Sequence, residues 1–172
     1  MLTRGEALDV LRGAGCSGGV VGHCVDVARI AGRIARGFRE KGVEVDLALV
    51  EAGALLHDLG RARTHSIRHG AVGGEIAREL GLPEPVVRII ERHIGAGIPC
   101  EEAVELGLPE GCYVPETVEE RIVAYADKLV ERGREVEFGV TLEWYIREHG
   151  AESSVVDRLR ALHEEMAAVI GG

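Results

Sequence analysis

The segment GALLHDLGRART, residues 53–64, places a histidine and an aspartate side by side at the end of a run of small and apolar residues. Ionisable side chains are rarely buried unless something compensates them. The run before the doublet is apolar enough to belong to a hydrophobic core. His57 and Asp58 are therefore expected to face the interior and to need a partner there.

Apolar residues recur at helical spacing along nearly the whole chain, and no segment shows the sustained period of two that is typical of strands. Connections are expected at 60–68 and 107–115, where basic residues or glycines and prolines collect. The pattern favours an all-α helical bundle. The predicted helices lie at about 3–13, 20–41, 46–59, 69–80, 81–94 with Pro83 or Pro85 in the first turn, 98–106, 116–132, 141–149 and 153–170.

Composition sets the limits on the class of protein. With 172 residues and 46% apolar content, the chain is long enough for one domain with a full core. We expect residues 1–172 to form that single domain, with a motif-bearing core at about 20–131 and the helices of 133–172 packed on it. The net charge of -9 argues against broad nucleic-acid binding but leaves small anionic ligands possible.

Two further features bear on location and on cysteine chemistry. No stretch has the length and apolarity of a membrane span, and MLTRGEALDV lacks the order of a secretory signal, so we expect a cytoplasmic protein without membrane association. The four cysteines show no CxxC spacing. The sequence therefore predicts neither a disulfide framework nor a zinc ribbon.

Six ionisable residues fall on the apolar faces of five predicted helices or helix ends. His23, for example, follows Val20 by three positions and precedes Val27 by four, so it shares their face. A single histidine in such a place is more often a hydrogen-bonded core residue than a ligand. The set is different, because a divalent cation would compensate buried carboxylates and suit the accompanying imidazoles. The six are His23, His57, Asp58, His69, His93 and Asp127, whereas His149 and His163 are expected at the surface.

These residues carry a resemblance to a known superfamily. His23, the His57-Asp58 doublet and Asp127 follow the H…HD…D order of the HD-domain metal-dependent phosphohydrolases. HDLG followed by Arg61 closely resembles the HDIG-type box of that superfamily, in which a lysine usually stands in place of the arginine. The chain is therefore identified, by resemblance, as a small archaeal-type HDIG member.

Three more segments extend the resemblance over roughly residues 20–131. HGAVGGEIARELG, from His69, resembles the segment that follows the HDIG box in many members. ERHIGAG, residues 91–97, resembles the segment that contributes the next histidine. IVAYADKLVE, residues 122–131, resembles the helix that carries the last aspartate.

The resemblance implies a metal centre. His23, His57, Asp58 and Asp127 would ligate one ion, and Asp58 would bridge to a second ion held by His69 and His93. Imidazole and carboxylate ligands together suit Mn²⁺, Fe, Co²⁺ or Ni²⁺, with Mg²⁺ a poorer match. His93 is followed by Ile94, where several binuclear subfamilies have another histidine, so one ion and two ions both stay open, with two favoured.

The same resemblance implies hydrolysis of a phosphomonoester or phosphodiester bond in a nucleotide or related small molecule, through a metal-activated hydroxide. Two alternatives stay open: a di-iron oxygenase of the same superfamily, and a nonenzymatic nucleotide-binding regulatory module. The sequence does not indicate an oligomeric state.

Basic residues beside the motif are the candidates for contacts with phosphate. Asp58 and His57 are assigned to catalysis together with Arg61 and Arg63, because guanidinium groups bind phosphate oxygens in pairs. An ordinary solvated loop whose arginines pair with glutamates explains the same segment equally well. Tyr113, Trp144 and Tyr145 are the few rings that could stack on a base, although packing is the commoner role for such rings. The candidate substrate-binding residues are Arg61, Arg63, His65, Arg68 and Lys128.

Overall fold

A computed structural model describes residues 1–171, and the all-α prediction is confirmed over that range. A 3₁₀ turn at Leu59–Ala62 and a two-stranded antiparallel hairpin, β1 (Val130–Glu131) and β2 (Arg134–Glu135), interrupt the helices. The helices are α1 (Arg4–Gly13), α2 (Gly18–Glu40), α3 (Leu47–Leu56), α4 (His69–Glu79), α5 (Glu84–Arg92), α6 (Cys100–Glu105), α7 (Val118–Asp127), α8 (Phe138–His149) and α9 (Ser154–Ile170).

Side-chain caps define where several helices begin. Thr3 and Glu6 form a reciprocal capping box at the start of α1. Asp46 accepts hydrogen bonds from two backbone amides at the start of α3. The predicted starts at Thr3 and Asp46 are therefore confirmed, and so is Ser153 as the residue that precedes α9.

The core forms around α2, the longest helix among the described residues. It packs along α3 and α7 and is also contacted by α9, while α4 packs along α5 and the 3₁₀ turn. From the C-terminal region, α9 adds Leu159, Leu162 and Met166 to the main core. The ends of α3 and α7 lie close to His23, in the second turn of α2.

Two predicted helix ends were wrong. α3 ends at Leu56 instead of about Leu59, because the chain turns into the 3₁₀ segment there. α7 ends at Asp127 instead of Arg132, because the residues that follow pair as the β1–β2 hairpin. The hairpin turn has Arg132 and Gly133 at positive φ, which a helix cannot accommodate.

The start of α8 also differs from the sequence prediction. Thr141 was predicted as the cap, but the helix begins at Phe138 and Thr141 lies in its second turn. The Thr141 hydroxyl donates instead to the backbone oxygen of Lys128, at 2.5 Å. This bond ties α8 to the end of α7.

His163 is not the surface residue that the sequence predicts. Its ring is half-buried and stacks on Phe138 with a centroid separation of 4.2 Å. Its Nδ1 hydrogen-bonds the Tyr125 hydroxyl at 2.7 Å. His149 is exposed, as predicted. None of the helices within residues 1–171 combines the length and apolarity needed to cross a bilayer.

The cysteine spacing did not predict a disulfide framework, but Cys100 and Cys112 form one disulfide. Ile98 and Tyr113 exchange two backbone hydrogen bonds of 3.0 and 2.8 Å. This pairing folds the loop back on the start of α6 and brings the two cysteine Cα atoms to 4.3 Å. Long-range pairing of this kind leaves no spacing signal in the sequence. Cys16 and Cys24 are free.

We expect the disulfide to contribute about 2–3 kcal/mol to the free energy of unfolding, the amount that closure of a short loop removes from the unfolded chain. Urea unfolding with and without a reductant measures this effect. The Cys112→Ser variant is the control, since reductant should leave its unfolding midpoint unchanged. An identical midpoint for oxidised and reduced wild-type protein would contradict the expectation.

Candidate metal centre

Six ionisable side chains from separate segments meet in one cluster, which we call the His/Asp cluster. Three overlapping sets of three have ligand atoms within 4.8 Å of one another. His57, Asp58, His69 and His93 are buried, and the other two are partly buried. The cluster consists of His23 in α2, His57 and Asp58 directly after α3, His69 at the first position of α4, His93 directly after α5, and Asp127 at the last position of α7.

One half of the cluster forms around Asp127. Its Oδ1 atom lies 2.9 Å from His23 Nε2 and 3.5 Å from His57 Nε2. The Oδ2 atom of Asp58 lies 3.9 Å from His23 Nε2 and 3.8 Å from His57 Nε2. Two imidazoles and two carboxylates thus face a common point.

The other half forms around the second oxygen of Asp58. Its Oδ1 atom lies 3.2 Å from His69 Nε2 and 3.5 Å from His93 Nε2. The two imidazole Nε2 atoms are 3.1 Å apart. Asp58 therefore belongs to both halves, with one carboxylate oxygen directed to each.

Backbone carbonyls orient three of the imidazoles in the same way. The Nδ1 atoms of His57, His69 and His93 hydrogen-bond carbonyl oxygens three residues earlier, at 2.7, 2.7 and 2.8 Å. A carbonyl oxygen only accepts, so Nδ1 carries the proton and donates. In the neutral ring, Nε2 then carries no proton, and its lone pair is directed into the cluster. This arrangement supports metal ligation.

Several nitrogen atoms of the cluster lack a hydrogen-bond donor and could bind a cation. His57 Nε2 is buried and has no hydrogen-bond partner among the described residues. The Nε2 lone pairs of His69 and His93 face each other, and two acceptors cannot hydrogen-bond. The side chains present therefore fit divalent metal ions, which would satisfy these lone pairs.

Asp58, Asp127 and His93 have the charge states that ligate a metal, whereas Cys24 and Asp58 raise the pKa of His57 against the effect of burial, so metal binding at His57 would compete with its protonation. Burial alone would raise the pKa of the Asp58 carboxyl, but the surrounding imidazoles outweigh it and lower that pKa well below its ordinary value. Asp127 behaves likewise, with Lys128 and the imidazoles lowering its pKa against the effect of burial. Burial lowers the pKa of His93 to about 4, so its ring is neutral at pH 7. Ionised carboxylates and neutral imidazoles are the ligating forms.

Glycines let the HDLG segment approach α4 closely enough to complete the cluster. A Cβ atom at Gly60 would clash with the backbone oxygen of His69 and lie 2.6 Å from the amide nitrogen of Gly73. The 3₁₀ turn and α4 therefore touch through their backbones, and this contact holds Asp58 beside His69. Gly60 and Gly73 were not among the site residues predicted from the sequence. The small residues of HDLG and GAVGG are the signal that could have indicated such a contact.

Two basic side chains donate hydrogen bonds to the cluster carboxylates. Arg61 Nε donates to Asp58 Oδ2 at 2.7 Å, and Lys128 Nζ donates to Asp127 Oδ2 at 2.6 Å. Lys128 is buried, and Asp127 raises its pKa against the effect of burial. Both residues therefore fix a carboxylate orientation from within the structure.

The other basic residues of the 60–68 loop lie further out. Arg63 is exposed and donates to Glu79 Oε2 at 2.8 Å, which is the arginine–glutamate pairing of a solvated loop. His65 and Arg68 are also exposed. Of the loop residues selected from sequence, Arg61 alone is shown in contact with the cluster.

Comparisons with known proteins agree with this geometry. The HD domain family matches residues 20–131. An uncharacterized protein of Methanocaldococcus jannaschii is 47% identical over 94% of this chain and 95% of its own length. A protein of Thermoplasma volcanium named tRNA (cytidine(56)-2'-O)-methyltransferase is 43% identical over 95% of this chain, but the match spans only 46% of that protein.

Solved structures include a similar fold. The HD domain of the phosphodiesterase PgpH from L. monocytogenes, in complex with cyclic-di-AMP, superposes with a TM-score of 0.56. The match covers 97% of this chain and 98% of that one, at 16% sequence identity. This likeness concerns the fold.

Proposed function

The chain belongs to the HD domain family, and from that premise we propose that it is a metal-dependent phosphohydrolase. The proposed reaction is hydrolysis of a phosphomonoester or phosphodiester bond in a nucleotide or related small molecule. The observation that carries this proposal is the His/Asp cluster, whose lone pairs and ionised carboxylates need a cation in its centre.

We propose that the two halves of the cluster hold two ions. His23, His57, Asp58 and Asp127 would hold one, and Asp58, His69 and His93 the other. When bound, such ions activate water and offset the charge that builds on phosphate oxygens. Asp58 is the residue with an oxygen directed to each half, which supports a bridging role.

Arg61 is proposed to contact the substrate as well as Asp58. Its Nε atom is occupied by Asp58, while its two terminal nitrogens have no hydrogen bond to a protein acceptor in the described part of the chain. A guanidinium held at one edge can present the other to phosphate oxygens. Arg63, His65 and Arg68 are proposed to add to the positive field at the entrance. Lys128 is proposed to hold Asp127 in place instead of reaching phosphate.

A nucleotide is the proposed substrate class. The structurally similar HD domain of PgpH binds cyclic-di-AMP, which supports a phosphorylated nucleoside at this site. We also propose that residues 1–172 work as a single domain, because α9 contributes to the same core as the cluster-bearing helices.

Methyl transfer to tRNA is not part of the proposal. The chain matches 46% of the relative with that name, so the remaining part of that protein is available for methyl transfer. The net charge of -9 would also repel a large RNA. Small nucleotides fit that charge balance better than a polyanion does.

The proposal is tested by metal depletion and reloading. Protein treated with a chelator is reloaded with Mn²⁺, Co²⁺, Ni²⁺, Fe²⁺ or Mg²⁺ and incubated with mononucleotides, a linear dinucleotide and a cyclic dinucleotide. We expect bound metal by elemental analysis and metal-dependent hydrolysis of at least one compound, with Mg²⁺ a weaker activator. Hydrolysis that survives chelation, or none with any ion, would contradict the proposal.

A further inference from the structure

The few large aromatic side chains of the chain differ in their burial. It has one Trp, three Tyr and two Phe. Phe38, Tyr113, Tyr125 and Phe138 are buried in the two apolar clusters of the structure. The two rings that remain accessible, Trp144 and Tyr145, are neighbours on α8, and Trp144 is 49% exposed.

Trp144 lines a cavity that borders the His/Asp cluster. The cavity has a volume of about 210 Å³, and its walls include Asp127, Lys128, Val140 and Trp144. Asp127 belongs to the cluster and also lines the cavity, so the two are adjacent. Val140 and Trp144 are four residues apart on α8 and therefore present one apolar wall.

The position of this wall is fixed relative to the cluster. The hydrogen bond from the Thr141 hydroxyl to the backbone oxygen of Lys128 joins α8 to the residue that follows Asp127. Thr141 lies three positions before Trp144, so the two are one helical turn apart. The edge of Trp144 also packs against the Tyr145 ring, with centroids 4.9 Å apart and planes at 86°. The indole therefore contacts Tyr145, lines the cavity and remains partly exposed.

About half of the Trp144 side chain stays exposed although the indole packs against Tyr145 and His149. Tryptophan side chains are highly buried on average. An apolar surface that remains exposed in a cavity is typical of a ligand-binding site. Tyr113, the other candidate from sequence, cannot serve, because its ring is buried and its hydroxyl donates to the Pro109 carbonyl.

We propose that Trp144 is the base-stacking residue of the substrate site, with Val140 completing the apolar wall. A nucleotide whose phosphate lies at the His/Asp cluster would place its base against the indole. The inference rests on the proposed function and narrows the substrate to phosphate esters that carry a nucleobase. Stacking on one aromatic side chain is sequence-tolerant, so all four common bases should be accepted.

Trp144 is the sole tryptophan, so fluorescence excited at the long-wavelength edge of tryptophan absorption, where tyrosine does not absorb, reports on this wall alone. Metal-loaded protein is titrated with AMP and, in parallel, with ribose 5-phosphate, which has the same phosphate and sugar but no base. We expect saturable quenching by AMP and little change with ribose 5-phosphate. Equal responses to the two compounds, or none to AMP, CMP, GMP and UMP, would overturn the proposal.

Two substitutions separate stacking from general damage. Trp144→Leu should weaken nucleotide binding about 10-fold or more, measured by calorimetry, while Trp144→Phe retains most of it. Ribose 5-phosphate binding should be the same in both variants and in the wild type. A Trp144→Leu variant that changes only the oligomeric state in sedimentation, with AMP affinity unchanged, would assign the exposed wall to self-association and overturn the inference.

These measurements also distinguish the two proposals. Binding of AMP through Trp144 without hydrolysis of any phosphate ester would refute the phosphohydrolase and leave the stacking site. If Trp144→Leu reduces hydrolysis of AMP and of ribose 5-phosphate equally, the stacking site would be refuted and the phosphohydrolase would be retained.

Discussion

Asp58→Asn is expected to reduce phosphate-ester hydrolysis by about a thousandfold or more in kcat/KM. Divalent ions contribute several kcal/mol of transition-state stabilisation, and about 1.4 kcal/mol corresponds to a factor of ten. Asp58 directs one oxygen to each half of the His/Asp cluster, so removal of its charge weakens both. The amide also loses the charged hydrogen bond to Arg61 Nε.

The measurement combines initial rates on the best substrate with metal content by elemental analysis. Asp9→Asn is the matched control, because the Asp9 side chain is 80% exposed and pairs only loosely with Arg12, at 3.6 Å. It should keep wild-type rates and metal content. Wild-type turnover in Asp58→Asn would refute the assignment of the cluster as the catalytic centre.

Gly60→Ala is expected to destabilise the protein by about 3 kcal/mol or more, the upper range for overpacking of a close contact. The new methyl group would meet the backbone of His69 and Gly73, which cannot rotate away as a side chain could. The 3₁₀ turn must then move away from α4. Because this contact holds Asp58 beside His69, metal affinity should fall together with stability.

Urea unfolding followed by circular dichroism measures the first effect, and metal titration of the folded variant measures the second. Gly5→Ala is the control: Gly5 lies in α1, and a Cβ there has no atom within 4 Å. That change should leave stability unchanged or raise it by up to about 1 kcal/mol. A Gly60→Ala variant within about 0.5 kcal/mol of the wild type would contradict the close approach, because surface changes alone stay in that range.

Much of the fold was predictable because it depends on local chemistry. The capping residues Thr3 and Asp46 act on amides within three residues, so their role is visible in the sequence. The end of α7 was not predictable from the same signals. Leu129 and Val130 continue the apolar pattern of the helix, and only pairing across the hairpin decides that they leave it.

In the candidate site, too, some features could be predicted from the sequence and others could not. Helical spacing places His23 on an apolar face, and the motif order selects the other members of the cluster. Spacing could not show that Arg63 pairs with Glu79 or that Lys128 pairs with Asp127, because each choice depends on which acceptor the folded chain brings near. Cys100 and Cys112 likewise meet only after the 98–113 segment has folded back.

By itself, the sequence determined the helical class, the family and the identity of the residues that gather at the cluster, since these follow from periodicity and motif order. The tertiary structure decided that Asp58 directs one oxygen to each half of the cluster, that three imidazoles present lone pairs to it, and that Trp144 remains exposed beside it. The reason is physical. Residue type and local spacing set what a side chain can do, whereas distances of about 3 Å between atoms far apart in the chain exist only once the helices have packed.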